Sequence, residues 1–394
     1  MGLLDRNNNK AILLAGILSI IVAIGVARFV FTSLLPFMLN DFLTITFAGI
    51  LASINYAGYL SGSIFATLIK DINTKVKYFR IGMLLCLISS FTLGISDNYL
   101  IWGISRIVAG FGSALVLVVG SAIVMTKLKM ENKTKAMGIH FSGIGFSILV
   151  TDLITRVFFL YEKVWNGAWI VLSIFGLVIA IYSVYILSFD KEVKLNVVKH
   201  KFDISLFSPF VILLIVAYFT EGIGFVVQAT FLPDIINSLE GLEGYGSFTW
   251  TLVGFAGIPS CIIFMTLAHK FGSVNIIILA MLIQIVGILV STFTTNIYLN
   301  LFSGVLYGGT FVGLVALFMN LGGKLAGKNP IILMGALTTS YGMGQVIAPL
   351  YSVKLVEIYN SYNQSLYLTA TIVFLGVLLL FVAKALANEN QKMI

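Results

Sequence analysis

The stretch GVARFVFTSLLP, residues 25–36, returns in altered form half a chain later as GIGFVVQATFLP, residues 222–233. The first glycine and the last proline of the two copies share one offset of 197 residues, half the length of the 394-residue chain. Gly58 and Gly254 form a further pair at nearly the same spacing. The sequence therefore predicts two copies of one unit.

The composition indicates an integral membrane protein. Hydrophobic residues make up 59% of the chain and charged residues 10%, whereas a soluble domain is about 45–50% apolar and about 25% charged. The mean hydropathy is +1.03. Apolar runs of about 20 residues, long enough to cross a bilayer as a helix, recur throughout. They lack the alternating pattern of a transmembrane β-barrel, so we expect an all-α membrane protein.

Proline, glycine and charge clusters divide the sequence into twelve predicted spans. Their expected limits are 11–39, 44–69, 79–96, 99–126, 135–159, 166–188, 206–236, 246–269, 273–293, 296–322, 330–354 and 363–386. The longest polar interruption, residues 189–205, separates an N-terminal half, 1–188, from a C-terminal half, 206–394. We expect two pseudo-symmetric six-helix bundles joined by this connector, with no soluble domain.

The distribution of positive charge predicts the orientation of the chain. Most of its 24 lysine and arginine residues fall at the termini and in alternate loops, the connector among them, while the opposite loops hold only Lys163 and Lys354. Basic residues near span ends mark the cytoplasmic side. Both termini are therefore expected in the cytoplasm of a multi-pass protein, in a bacterial inner membrane. This topology accounts for the net charge of +8 without nucleic acid as a partner.

Several motifs resemble those of the major facilitator superfamily. The stretch RIVAGFGSA, residues 106–114, is similar to that superfamily's fourth-helix motif, an arginine followed by closely spaced glycines. Residues 25–36, together with NYAGYLSG at 55–62 and FLP at 231–233, resemble the YbfB/YjiJ-type subfamily. The resemblance implies a secondary transporter of twelve helices in two parallel halves, with the first and seventh helices lining a central cavity.

Five ionisable residues lie within predicted spans: Arg28, Arg106, Asp152, Arg156 and Glu221. Each costs at least about 2.5–3.5 kcal/mol at a helix centre on insertion scales, so each needs a partner, a wet cavity or a function. Asp152 and Arg156 are four residues apart on one helical face and can pair, which favours a structural role. The resemblance assigns Arg106 to a site for protons or a substrate anion, with extension to the membrane surface as the alternative.

Arg28 and Glu221 are expected at similar heights on symmetry-related helices, because the repeat-equivalent of Glu221 lies one turn from Arg28. A salt bridge or a shared substrate site is the leading hypothesis; a static pair that only fixes packing is the alternative. Neutral polar residues within spans are candidate substrate contacts, although each is as well suited to an interhelical hydrogen bond. They are Asn55, Tyr56, Tyr59, Gln228, Tyr307, Tyr341 and Gln345.

The sequence predicts a proton-coupled transporter of a small anionic or zwitterionic solute that works by alternating access. No Gly-x-x-x-x-Gly-Lys-Ser/Thr sequence is present, so an ion gradient is the expected energy source. Efflux of amphipathic or aromatic compounds is the alternative, and a non-transporting membrane sensor is the alternative of another class. We expect no enzyme activity, cofactor or metal, and we expect the chain to work as a monomer. Its expected partners are the solute, protons and the lipid bilayer.

Overall fold

The computed structural model describes residues 2–129, 133–162, 164–189, 207–326 and 330–387. All regular structure in these ranges is helical, which confirms the expected all-α class. The connector predicted at 189–205 lies outside the described residues apart from Phe189, and so does Lys163, one of the two basic residues assigned to the opposite loops.

The long helices are labelled α1 to α12 in chain order. They are α1 Asn9–Leu39, α2 Ile45–Leu68, α3 Ile72–Ile95, α4 Tyr99–Lys127, α5 with segments Lys133–Phe141 and Gly143–Tyr161, α6 Trp165–Ile186, α7 Pro209–Asn237, α8 Gly246–Phe271, α9 Ser273–Phe293, α10 Ile297–Ala326, α11 Pro330–Tyr359 and α12 Asn363–Leu386. Their bounds lie within several residues of the predicted limits.

Ten of these helices are long and apolar enough to cross a membrane. The other two, α2 and α11, are 24 and 30 residues long but are not among these ten. Both carry polar candidates named above, such as Asn55 on α2 and Gln345 on α11. The count of twelve spans therefore stays a prediction.

The chain forms two compact units. The N-terminal unit contains Met1–Thr44 and Ile54–Val198, and the C-terminal unit contains Ile45–Ser53 and Lys199–Ile394. In the N-terminal unit α1 packs against α3, α4, α5 and α6. In the C-terminal unit α7 packs against α11 and α12, and α10 packs against α8 and α9.

One glycine contact occurs in both units at the repeat spacing. A Cβ atom at Gly110 of α4 would collide with the backbone carbonyl of Asn55 on α2. A Cβ atom at Gly308 of α10 would collide in the same way with the carbonyl of Val253 on α8. Small residues let helix backbones approach closely in membranes. Gly308 follows Gly110 by 198 residues, and Val253 follows Asn55 by the same number. The same close approach of two helices therefore occurs in both units.

The two copies of the opening stretch differ in backbone form. In α1, residues Ile21–Phe29 form a π-helical segment that includes Arg28. In α7, the helix Pro209–Asn237 is α-helical throughout. A second π-helical segment, Leu115–Val119, interrupts α4 after its arginine and glycine motif. Such segments are rare and frequently mark functional sites, and both belong to the N-terminal unit.

Gly308→Ala is expected to destabilise the protein by about 1–3 kcal/mol, the usual cost of forcing extra atoms into a packed interior. The adjacent Gly309→Ala is the matched control, because a Cβ atom there meets nothing within 4 Å. Unfolding in detergent measures both. Equal stability of the two variants would contradict the backbone approach described for Gly308.

Candidate functional site

Arg28 is buried in the N-terminal unit against two tyrosine rings. Its side chain is 7% exposed, and its guanidinium carbon lies 4.8 Å from the ring centre of Tyr56 and 4.3 Å from that of Tyr59. The Nε and Nη2 atoms have no hydrogen-bond partner among the described residues of the unit. Cation–π contact stabilises the charge but leaves these two N–H groups without acceptors. The site can therefore bind an acceptor such as a carboxylate or phosphate oxygen.

Arg106 is held in the interior by a carbonyl and a ring. It is 2% exposed, its Nη1 donates to the Ala27 carbonyl at 3.2 Å, and its guanidinium carbon lies 4.4 Å from the ring centre of Phe31. Both partners belong to α1. The side chain is therefore directed inward rather than toward an exposed surface. It also lies within electrostatic range of Arg28 and Tyr56, so positive charge is concentrated in this part of the unit.

Asn55 supports the arginine helix instead of pointing into open space. Its Nδ2 atom donates to the backbone carbonyl of Arg106 at 2.8 Å. This is an interhelical hydrogen bond between α2 and α4, beside the glycine contact at Gly110. We assign Asn55 a positioning role and keep Tyr56 and Tyr59 as the residues that face the Arg28 charge.

The predicted pairing of Asp152 with Arg156 is confirmed. The Nε atom of Arg156 donates to the carboxylate of Asp152 at 3.1 Å, with side chains 23% and 1% exposed respectively. The buried carboxylate thus has a cation one helical turn away. Because Arg156 neutralises the charge of Asp152, a structural role is favoured for this pair.

Glu221 lies in the C-terminal unit with no cation beside it among the described residues of that unit. It is 0% exposed, and neither carboxyl oxygen makes a hydrogen bond. The amide of Gln284 on α9 lies within hydrogen-bonding reach of the carboxyl group, although neither side chain has a partner at favourable geometry among the described residues. Glu221 and Arg28 belong to different units, and their pairing stays a prediction.

Gln284 is a residue that the sequence analysis missed. It lies in the middle of α9, is 0% exposed, and stands 3.8 Å from the position that a Cβ atom would take at Gly224 on α7. The available signal was an amide in the middle of the apolar run 273–293, where an unpaired polar group is costly. The neutral polar candidates lie on the second, seventh, tenth and eleventh predicted spans, and Gln284 lies on none of them.

The other neutral candidates of the C-terminal unit have mixed surroundings. Tyr307 donates its hydroxyl hydrogen bond to the Phe225 carbonyl at 2.9 Å, and Tyr341 stacks on Tyr218 with ring centres 4.4 Å apart. Gln345 is 2% exposed and its Oε1 atom has no partner in the described ranges. Tyr307 and Tyr341 therefore stabilise helix packing, while Gln345 retains an open acceptor.

His140 bonds to the hydroxyl of Ser121 through Nε2 at 2.9 Å and is 1% exposed. This arrangement matches a hydrogen-bonding role within the N-terminal unit. No group of three His, Cys, Asp or Glu residues suited to a metal ion occurs in the part of the chain that the structure describes.

Comparison with known proteins supports the motif analysis. A family model described as an uncharacterised MFS-type transporter, YbfB, matches residues 20–381. Among solved structures, the chain is similar to the nucleoside transporter NupG, crystallised as a point mutant, with a TM-score of 0.74. That match has 12% sequence identity and covers 97% of this chain and 100% of the NupG chain. At this identity the likeness concerns the fold alone.

A double-mutant cycle on Asp152→Asn and Arg156→Gln is expected to give a coupling energy of about 0.5–3 kcal/mol, because the two groups are in direct contact. The exposed pair Lys354 and Glu357, 3.7 Å apart with side chains 70% and 39% exposed, is the matched control. Its coupling should lie within about 0–1 kcal/mol. Unfolding titrations in detergent provide the measurement, and additive effects at Asp152 and Arg156 would contradict the ion pair.

Proposed function

The chain belongs to the family of MFS-type transporters represented by YbfB, and we propose that it moves a small anionic or zwitterionic organic solute across the membrane, coupled to protons. This family membership places the chain among multi-pass membrane transporters rather than enzymes. The mechanism that we propose is alternating access around a site near the membrane midplane, as in other transporters built from parallel halves. The proposed setting is a bacterial inner membrane with both termini in the cytoplasm.

The observation that supports an anionic solute concerns Arg28, whose Nε and Nη2 atoms have no hydrogen-bond acceptor among the described residues. A buried guanidinium without a carboxylate partner is costly to maintain. The rings of Tyr56 and Tyr59 stabilise its charge, and the Tyr59 hydroxyl lies within hydrogen-bonding reach of the guanidinium, but Nε and Nη2 have no partner among the described residues. An anionic group of the solute would supply the missing acceptors with charge-assisted hydrogen bonds. Arg106 adds positive charge nearby, which favours an anion further.

The proposed coupling residue is Glu221. Of the two acids deep within spans, Asp152 is already neutralised by Arg156, whereas Glu221 lies beside the amide of Gln284 with no cation next to it among the described residues of its unit. A carboxylate buried without a cation takes up a proton instead of remaining charged. Proton exchange at Glu221 is therefore the proposed link to the proton gradient, while Asp152 is proposed to act in structure.

Polar side chains on α2 and α11 support a polar pathway. Tyr56 and Tyr59 lie on α2, and Tyr341 and Gln345 lie on α11. Polar side chains are cheaper beside a water-filled cavity than in lipid. The part of α2 that carries Tyr56 and Tyr59, in the N-terminal unit, and α11, in the C-terminal unit, are proposed to border the solute path.

A second candidate, efflux of aromatic compounds, is favoured by a cluster of rings in the C-terminal unit. Tyr218 stacks between Phe318 and Tyr341, with ring centres 4.3 and 4.4 Å away. Phe225 lies 5.9 Å from Tyr341 and continues the cluster. Aromatic rings favour stacked or edge contacts with one another and with flat ligands. NupG, described as a nucleoside transporter, shares the fold, but its substrate is not carried over as an assignment.

The test is proton movement in proteoliposomes that contain the purified protein and an internal pH dye. Organic anions, amino acids and aromatic cations are added one at a time. Anion-dependent proton flux is expected in the wild type. Arg28→Gln should weaken the anion response by about 10- to 100-fold in apparent affinity, which corresponds to the loss of one charge-assisted hydrogen bond.

Arg6→Gln is the matched control, because Arg6 also lies over a tyrosine ring, 4.2 Å from that of Tyr185, but outside the long helices. It should respond as the wild type does. Flux with aromatic cations alone would overturn the anion proposal in favour of efflux. Binding of a solute without any flux would support the membrane sensor and overturn transport.

A further inference from the structure

We propose that a seam of buried polar groups between α7 and α9 carries protons between Glu221 and a cleft at one end of the C-terminal unit. The inference rests on the proposed proton coupling and assigns the route and the partner residues. The seam consists of Glu221 and Gln228 on α7, and of Gln284, Gly287 and Ser291 on α9. It lies entirely within one unit.

The members of the seam follow matching helical faces. Glu221 and Gln228 are seven residues apart on α7, and Gln284 and Ser291 are seven residues apart on α9. Seven residues make two turns and rise about 10 Å along a helix. The four side chains are between 0% and 4% exposed, and each has at least one polar atom without a hydrogen-bond partner in the described residues.

Two contacts join the helices along this seam. At Gly224, one turn beyond Glu221, the amide of Gln284 lies 3.8 Å from the position that a Cβ atom would take, which is van der Waals distance. Farther along, the Nε2 atom of Gln228 donates to the Gly287 carbonyl at 3.4 Å. Buried polar groups are nearly always paired in folded proteins. A run of them left open between the same two helices is therefore better explained by water or protons than by packing.

The seam reaches a solvent-facing cleft. Ser291 lines a cleft of ≈ 940 Å³ between the ends of α7, α9 and α11. Other polar residues of its lining are Ser238, Thr292, Thr294, Asn360 and Asn363. This volume holds many water molecules, since each occupies about 30 Å³ in the liquid. Hydronium in the cleft is the proposed proton source.

The chemistry of an acid beside a primary amide suits proton binding. An ionised carboxylate is an acceptor only and can use just the N–H groups of Gln284. A protonated carboxyl has one donor and one acceptor, so it can pair with both the oxygen and the nitrogen of the amide. In the proposed step a hydronium ion transfers its proton to a Glu221 oxygen, through water along the seam, and is left as water. Release is the reverse.

Several other titratable groups on α7 and on the helices around it are buried or held in contacts of their own. Tyr307 on α10 bonds to the Phe225 carbonyl, Tyr351 on α11 bonds to Thr369 on α12, and Tyr362 donates to Asp234 at 2.5 Å beside the cleft. Tyr218 and Tyr341 are stacked on each other, Cys261 on α8 is buried, and Glu357 at the cleft contacts Lys354 and Thr46. Glu221 is therefore the acid to which the seam leads.

Labelling with dicyclohexylcarbodiimide tests proton binding without transport, because this apolar reagent modifies protonated carboxylic acids. Mass spectrometry of the purified full chain should show labelled Glu221, with the labelled fraction falling as the pH rises. Asp152, which is paired with Arg156, is the internal control and should remain unlabelled. Gln284→Leu removes the amide that can pair with both protonation states of Glu221, so the pH at which labelling declines should shift relative to the wild type.

Absence of Glu221 labelling at every pH would overturn the proposal, as would suppression by sodium at constant pH, which would indicate a cation site. An unchanged pH profile in Gln284→Leu would remove Gln284 from the site. Labelling as expected without proton flux in proteoliposomes would instead overturn the proposed function and leave proton binding standing.

The route is tested with single cysteines in a Cys86→Ala, Cys261→Ala background. Ser291→Cys should react with a small hydrophilic thiol reagent, and Gln228→Cys should react more slowly because it lies farther from the cleft. Ser303→Cys is the control: Ser303 is 0% exposed in the same unit, and its hydroxyl already bonds to the Asn300 carbonyl. Equal reaction of Ser291→Cys and Ser303→Cys would contradict a water-accessible seam.

Discussion

The structure depends on how an ionisable side chain is accommodated inside an apolar helix. Three solutions occur in this chain. Asp152 is neutralised by Arg156 one turn away, Arg28 is stabilised by two aromatic rings, and Glu221 lies beside the amide of Gln284 with no cation next to it among the described residues of its unit. The first solution places opposite charges in direct contact. The other two leave buried donors or acceptors open, and an open buried group is costly unless it serves binding or proton exchange.

The backbone supports this division between packing and function. Gly110 and Gly308 bring α4 and α10 against their neighbours at equivalent positions of the repeat, so both units share one packing scheme. The π-helical segment Ile21–Phe29 breaks that equivalence, since it holds Arg28 in one copy of the opening stretch while the other copy remains α-helical. The repeat therefore sets the helix packing. The residues proposed to act on the solute and the proton lie where the two copies differ in sequence or backbone.

Much of this could be predicted from the sequence, and the failures have physical causes. Apolar run lengths placed the helices because bilayer thickness sets their length, and the spacing of Asp152 and Arg156 predicted their contact. The π-helical segments were not predicted. Their i→i+5 hydrogen bonds change the spacing of side chains along a face, and an almost wholly apolar run shows no pattern in which that change could be seen. Gln284 was missed because its helix carries no charged residue or recognised motif that singles it out. Its importance depends on which helix faces it.

The central claim is that the Nε and Nη2 atoms of Arg28 bind an anionic group of the solute. The most direct measurement is thermal unfolding of the purified wild-type protein with pairs of organic acids and their neutral amides. The account predicts that some acids raise stability, by about 2.7 kcal/mol at a concentration 100 times the dissociation constant, while the matching amides leave it unchanged. Equal stabilisation by acids and amides, or by neither across a broad panel, would contradict it.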